Sequence, residues 1–112
     1  MPPSDEVVLV DPDIADLVPG FLTNRCADVS AMRSALNSSD LDELARLGHS
    51  LRGCAPSYGF HELGRLGGEV EDAAQKGNAD ELEAHVSAIE AHLAALRWAP
   101  DPELEDELCT VW

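Results

Sequence analysis

Apolar residues recur at steps of three and four along most of this chain, the spacing of one face of an α-helix. From Phe21 to about Leu36 the series is Leu22, Cys26, Val29, Met32 and Leu36. From Leu41 to about Cys54 it is Leu41, Leu44, Leu47 and Leu51, continuing to Ala55. From Phe60 to Gln75 it is Phe60, Leu63, Leu66 and Val70, and from Ala79 to Trp98 it is Leu82, Val86, Ile89, Leu93 and Leu96. The punctuation agrees with this division. Asp11-Pro12-Asp13 reads as a helix start, opening a short helix over Ile14–Val18 that is re-set at Pro19-Gly20. Asn37-Ser38-Ser39-Asp40 reads as a turn with a cap for the next helix, and Lys76-Gly77-Asn78 as a helix end. Ala55-Pro56-Ser57-Tyr58-Gly59 is a break. Val7–Val10 could form a strand but has no apparent partner, so an extended arm is expected there. The pattern predicts an all-α protein: an antiparallel up-down-up-down four-helix bundle with a short extra N-terminal helix. Its expected layout is an arm over 1–11, a bundle over 12–99 and an acidic tail over 100–112. Leu104, Leu108 and Trp112 leave that tail open between a short amphipathic helix and disorder.

At 112 residues the chain is one domain, and its 45% apolar content is enough for a packed core. Acidic residues number 22 and basic residues 7, a formal charge of −15. That balance argues against nucleic acid and against an anionic membrane surface as partners, since both select clustered cations. No apolar run approaches a membrane span and no leader pattern opens the chain, so a cytoplasmic location is expected. Three scattered cysteines, Cys26, Cys54 and Cys109, make neither a disulfide framework nor a metal motif. The charge is uneven. Residues 1–18 and 101–112 each hold five acids and no base, whereas the window 41–67 balances Asp42, Glu43 and Glu62 against Arg46, Arg52 and Arg65.

His49 lies in that neutral window. On a helical projection it points about 140° away from the apolar face of its helix, toward solvent. At i−4 and i+4 stand Ala45 and Gly53, and at i−3 and i+3 stand Arg46 and Arg52. An uncrowded imidazole between cations suits nucleophilic phosphoryl transfer: neutral imidazole needs no strong base, and guanidinium groups can hold the anion that results. Gly53 costs about 1 kcal/mol relative to Ala in mid-helix, a cost that makes sense if a partner must approach His49 closely.

The run His49-Ser50-Leu51-Arg52-Gly53-Cys54, followed by Tyr58-Gly59-Phe60 and by Leu63 and Leu66, resembles the motif of histidine phosphotransfer (HPt) domains. The resemblance implies that His49 accepts the phosphoryl group, that Arg52 is the accompanying cation and that Gly53 gives access. Arg52 stands where Lys is commoner, and Cys54 where Ser or Ala is usual. Arg46 is a weaker candidate for contact with the phosphoryl group. The implied protein is a phosphocarrier rather than a kinase, with no cofactor or metal of its own. A monomer is expected, and Met1 with a self-contained bundle favours a free-standing chain over a piece of a larger kinase. Its implied partners are a histidine kinase and response-regulator receiver domains. A bundle that docks on a receiver or kinase without carrying phosphate is the other reading. His85 and His92, seven residues apart, could ligate a metal, but the Glu-x-x-His pairs of carboxylate-bridged bundles are missing from the chain. His61 reads as a plain surface residue of a first helical turn.

Overall fold

The computed structural model describes residues 7–102. Strand β1 (Val7–Val10) and a 3-10 turn (Ala15–Leu17) precede α1 (Val18–Asn37), α2 (Leu41–Cys54), a second 3-10 turn (Ala55–Tyr58), α3 (His61–Lys76), α4 (Ala79–Ala95) and β2 (Arg97–Pro100). The local chemistry explains most boundaries. The Asp40 carboxylate accepts the Glu43 amide at 3.1 Å and opens α2, and the Asn78 side chain accepts the Glu81 amide at 3.1 Å and opens α4. Gly77 ends α3 at φ +71°, a left-handed conformation that glycine adopts without a Cβ penalty. Gly59, at φ +91°, does the same for the turn that separates α2 from α3.

The four helices follow one another around a closed ring, with α1 packed against both α2 and α4, and α3 between α2 and α4. The core runs through Val18, Phe21, Met32, Leu44, Leu51, Phe60, Leu63, Val70, Leu82, Val86 and Ile89. Phe21 stacks on Tyr58 and Phe60, with ring centroids 4.2 and 5.8 Å apart, which fastens the α2–α3 turn to α1. Arg33 of α1 clamps α4, donating to Glu83 at 2.8 Å, to Ser87 at 2.9 Å and to Glu90.

Three features differ from the expectation. The short N-terminal helix is a single 3-10 turn that runs into α1, because Pro19 falls in the first turn of α1, where no intrahelical donor is required. The buried face of α1 is Val18, Phe21, Val29, Met32 and Ala35, so Cys26 is exposed and Leu22 and Leu36 are half-buried. The fold is also not purely α. Helix α4 stops at Ala95 instead of Trp98, Leu96 is extended, and residues 97–100 pair in parallel with β1 in the register Val7↔Arg97 to Val10↔Pro100. The Asp101 amide extends this ladder by donating to the Val10 carbonyl at 2.8 Å. Pro100 and Pro102 favour extended backbone before them, which frees the end of the apolar seam to become the partner that Val7–Val10 lacked. Of the tail expected over 100–112, Pro100 belongs to β2 instead, and residues 103–112, with Cys109, fall outside the described residues.

Candidate functional site

The site begins with the contact between α2 and α3. A Cβ built on Gly48 would lie 2.6 Å from the Gly67 carbonyl and 2.7 Å from the Glu71 amide. One built on Gly67 would lie 2.8 Å from the Leu51 Cβ, 2.9 Å from the Gly48 carbonyl and 3.0 Å from the Arg52 amide. Backbone therefore meets backbone at this crossing, and only glycine permits it. Gly64 deepens the same seam by leaving room for the Pro56 ring, 3.0 Å from its missing Cβ.

This close crossing places Glu71 of α3 beneath His49 of α2. The His49 side chain is 66% exposed, whereas the Glu71 side chain is only 11% exposed. Their Nδ1 and Oε2 atoms are 3.0 Å apart. A carboxylate only accepts, so Nδ1 carries the proton and donates it, leaving Nε2 with a free lone pair. The other Glu71 oxygen, Oε1, lies 3.2 Å from Arg52 Nη1, an ion-pair contact that lacks hydrogen-bond alignment. The arrangement is a solvent-exposed imidazole of fixed tautomer, a buried anion behind it and a half-exposed guanidinium at its side. Such a ring can attack an electrophile through Nε2, and the carboxylate is placed to balance positive charge that develops on the ring.

Of the residues singled out in the sequence, His49 and Arg52 meet, through Glu71. Gly53 has no atom within 4 Å of its missing Cβ, so the surface beside His49 on the C-terminal side is open. Arg46 is turned away from this cluster. Its guanidinium chelates Glu43 through two hydrogen bonds, at 2.6 and 2.8 Å, which hold the Glu43 carboxyl below the usual range. Glu71 itself was not singled out. The signal for it is the glycine pattern of α3: Gly64 and Gly67 mark the face on which α2 presses, and Glu71 is one turn further along that face.

The remaining histidines sit elsewhere. His61 is exposed at the start of α3, and His85 Nδ1 lies 3.1 Å from Glu69 Oε2. His92 is half-buried, and desolvation pulls its pKa below the usual 6.5. Arg65 binds Glu62 in two hydrogen bonds of 2.6 Å and also pairs with Glu69. Among the described residues no group of three or more His, Cys, Asp or Glu is placed to hold a metal. Nor is any described helix long and apolar enough to cross a membrane.

A glycine-closed α2–α3 seam with an exposed histidine above it is a helical-bundle histidine site. The family model of the Hpt domain matches residues 16–99, three-quarters of the chain, and the protein belongs to that family. Hpt domains as a class carry phosphoryl groups on histidine in phosphorelays, working with kinases and receiver domains. Comparison with curated proteins and with solved structures gave no match.

Proposed function

We propose that this protein carries a phosphoryl group on His49. It takes the group from a histidine kinase or from the phosphoaspartate of a receiver domain and passes it to another receiver. The observation that supports this most is the pairing of an exposed ring with a buried acceptor, His49 Nδ1 to Glu71 Oε2 at 3.0 Å. In the transfer from phosphoaspartate, the Nε2 lone pair forms the N–P bond while the bond from phosphorus to the aspartate oxygen breaks and the carboxylate departs with its electron pair. From a kinase phosphohistidine, the P–N bond breaks instead and the donor imidazole keeps the pair. The ring keeps its Nδ1 proton and becomes cationic, and the Glu71 carboxylate beneath it compensates that charge. Arg52, one turn along α2 from His49 and 3.2 Å from Glu71 Oε1, supplies the cation for the phosphoryl oxygens in this reading, its charge opposite to theirs. The ring hands the group on by the reverse path.

The connections Ser38–Asp40 and Gly77-Asn78 are short, which favours an antiparallel up-down-up-down order for the four helices. The bundle spans 12–99 in this reading, flanked by the paired strands β1 and β2 rather than by a free arm. The carrier in this reading is monomeric and cytoplasmic. The neutral stretch around His49 suits docking to a receiver, whose active site is rich in carboxylates. The test is incubation with a phosphorylated receiver domain. The expected label is acid-labile and base-stable, and it disappears in His49→Gln. Tight receiver binding with no label on the parent protein would refute transfer.

A further inference from the structure

Helix α3 carries three interior glycines, and two of them are accounted for by rigid neighbours. Gly67 faces the backbone of α2, and Gly64 faces the Pro56 ring. Gly68 faces neither. The atoms that a Cβ there would meet are Cδ and Cγ of Arg52, at 3.0 and 3.7 Å, with no backbone atom among them. Gly68 is nonetheless buried, and what covers it is the stem of a half-exposed arginine. Alanine is the better helix former at such a position, so the glycine weakens α3 with no gain in helix packing. What it leaves is a notch in α3 into which the Arg52 stem settles. The guanidinium beyond that stem lies 3.2 Å from Glu71 Oε1 without a well-aligned hydrogen bond to fix it. Long side chains lie along the surface that their stems can cover, so the depth of the notch decides how close to α3 the guanidinium is carried. An ion pair with poor alignment contributes little anchoring of its own.

We propose that Gly68 is a positioning residue for Arg52: its notch holds the arginine stem against α3, which keeps the guanidinium beside Glu71 and within reach of a group carried on His49. This rests on His49 as the acceptor, and it adds a residue on the opposite helix that shapes the site without touching the phosphoryl group. It also separates stability from function. Filling the notch improves helix propensity and at the same time lifts Arg52 from its seat.

The experiment is a cycle of Gly68→Ala, Arg52→Ala and the double variant, with Gly64→Ala as a control that crowds Pro56 instead of the Arg52 side chain. Phosphotransfer from a charged receiver and the melting temperature are measured for each. Gly68→Ala should melt no lower than the parent, transfer several-fold more slowly, and cause no further loss once Arg52 is alanine. Unchanged transfer in Gly68→Ala would overturn the assignment, as would a loss that persists undiminished in the Arg52→Ala background. A phosphate-free readout keeps the two claims apart. The NMR signal of the Arg52 Nε–H should move in Gly68→Ala and stay in place in Gly64→Ala. If the parent takes no label, His49 as acceptor fails, and the Arg52 signal alone decides the role of Gly68. An unmoved signal refutes it.

Discussion

Gly67→Ala probes the contact on which the site depends. The new methyl would lie 2.8 Å from the Leu51 Cβ, 2.9 Å from the Gly48 carbonyl and 3.0 Å from the Arg52 amide. Two of these three atoms are backbone, so no rotamer change relieves the clash and the helices must separate. Overpacking of this kind costs about 1–3 kcal/mol. Alanine returns about 1 kcal/mol of helix propensity. Because the contacts are short and rigid, a net loss of about 1–2 kcal/mol is expected, or a fall in melting temperature of about 5–15 °C for a domain of this size. Separation also draws Glu71 away from His49, whose 3.0 Å contact has little slack before the hydrogen bond is lost. Calorimetry and the His49 Nδ1–H signal in NMR should therefore change together. Gly53→Ala is the matched control, since its methyl enters open space and its sign is opposite, a gain of up to about 1 kcal/mol. A Gly67→Ala protein that melts at or above the parent, with the Nδ1–H signal retained, would refute the packing argument.

Three further outcomes are expected. Glu71→Ala frees the His49 tautomer and removes the charge that balances the phosphorylated ring, so single-turnover transfer should slow by about 10- to 100-fold, the worth of one hydrogen bond to a charged group. An unchanged rate would mean that Glu71 does not set the ring. Gly53→Leu should leave the circular dichroism spectrum and melting curve near the parent's while transfer slows strongly, since it blocks the open side of His49; undisturbed transfer would count against the access argument. Stability should fall on acidification in two stages. His92 has a folded pKa depressed by burial, so its contribution is complete above the unfolded value of 6.5 and is lost as the pH drops below it; His92→Phe should flatten that part of a pH–melting curve. Glu43, Glu62 and Glu90 have pKa values lowered by hydrogen bonds from Arg46, Arg65 and Arg33, so their contributions hold above 4.5, fade below it, and should shrink in high salt.

The parts of this molecule that were legible in the sequence are those fixed by short-range chemistry. Helices α2 and α3 lie close to where the apolar spacing, Asp40 and Gly77 put them, because caps and a clean amphipathic face act within a turn or two. The exposure of His49 followed from the same geometry. The β1–β2 pairing did not, since it joins residues 90 positions apart and overrides the apparent continuation of the α4 seam into Leu96 and Trp98. On α1 the expected face holds at Val29 and Met32 but not at Leu22, Cys26 and Leu36, because Phe21 and Ala35 take the core instead, and Arg25 lies over the Phe21 ring at 4.8 Å. Glu71 escaped notice because a carboxylate in an apolar helix reads as surface until the crossing of Gly48 and Gly67 is known. Arg46, the weaker candidate beside Arg52, is claimed by Glu43, three residues away.

The most direct test of the central claim is to locate the phosphoryl group atom by atom. The 15N-histidine protein would be charged by a phosphorylated receiver and examined by 31P–15N correlation NMR under alkaline conditions. A single phosphohistidine, at Nε2 of residue 49, is the predicted result, unchanged in His61→Gln, His85→Gln and His92→Gln. A phosphoryl group on Nδ1 of His49, or on any other residue, would contradict the account.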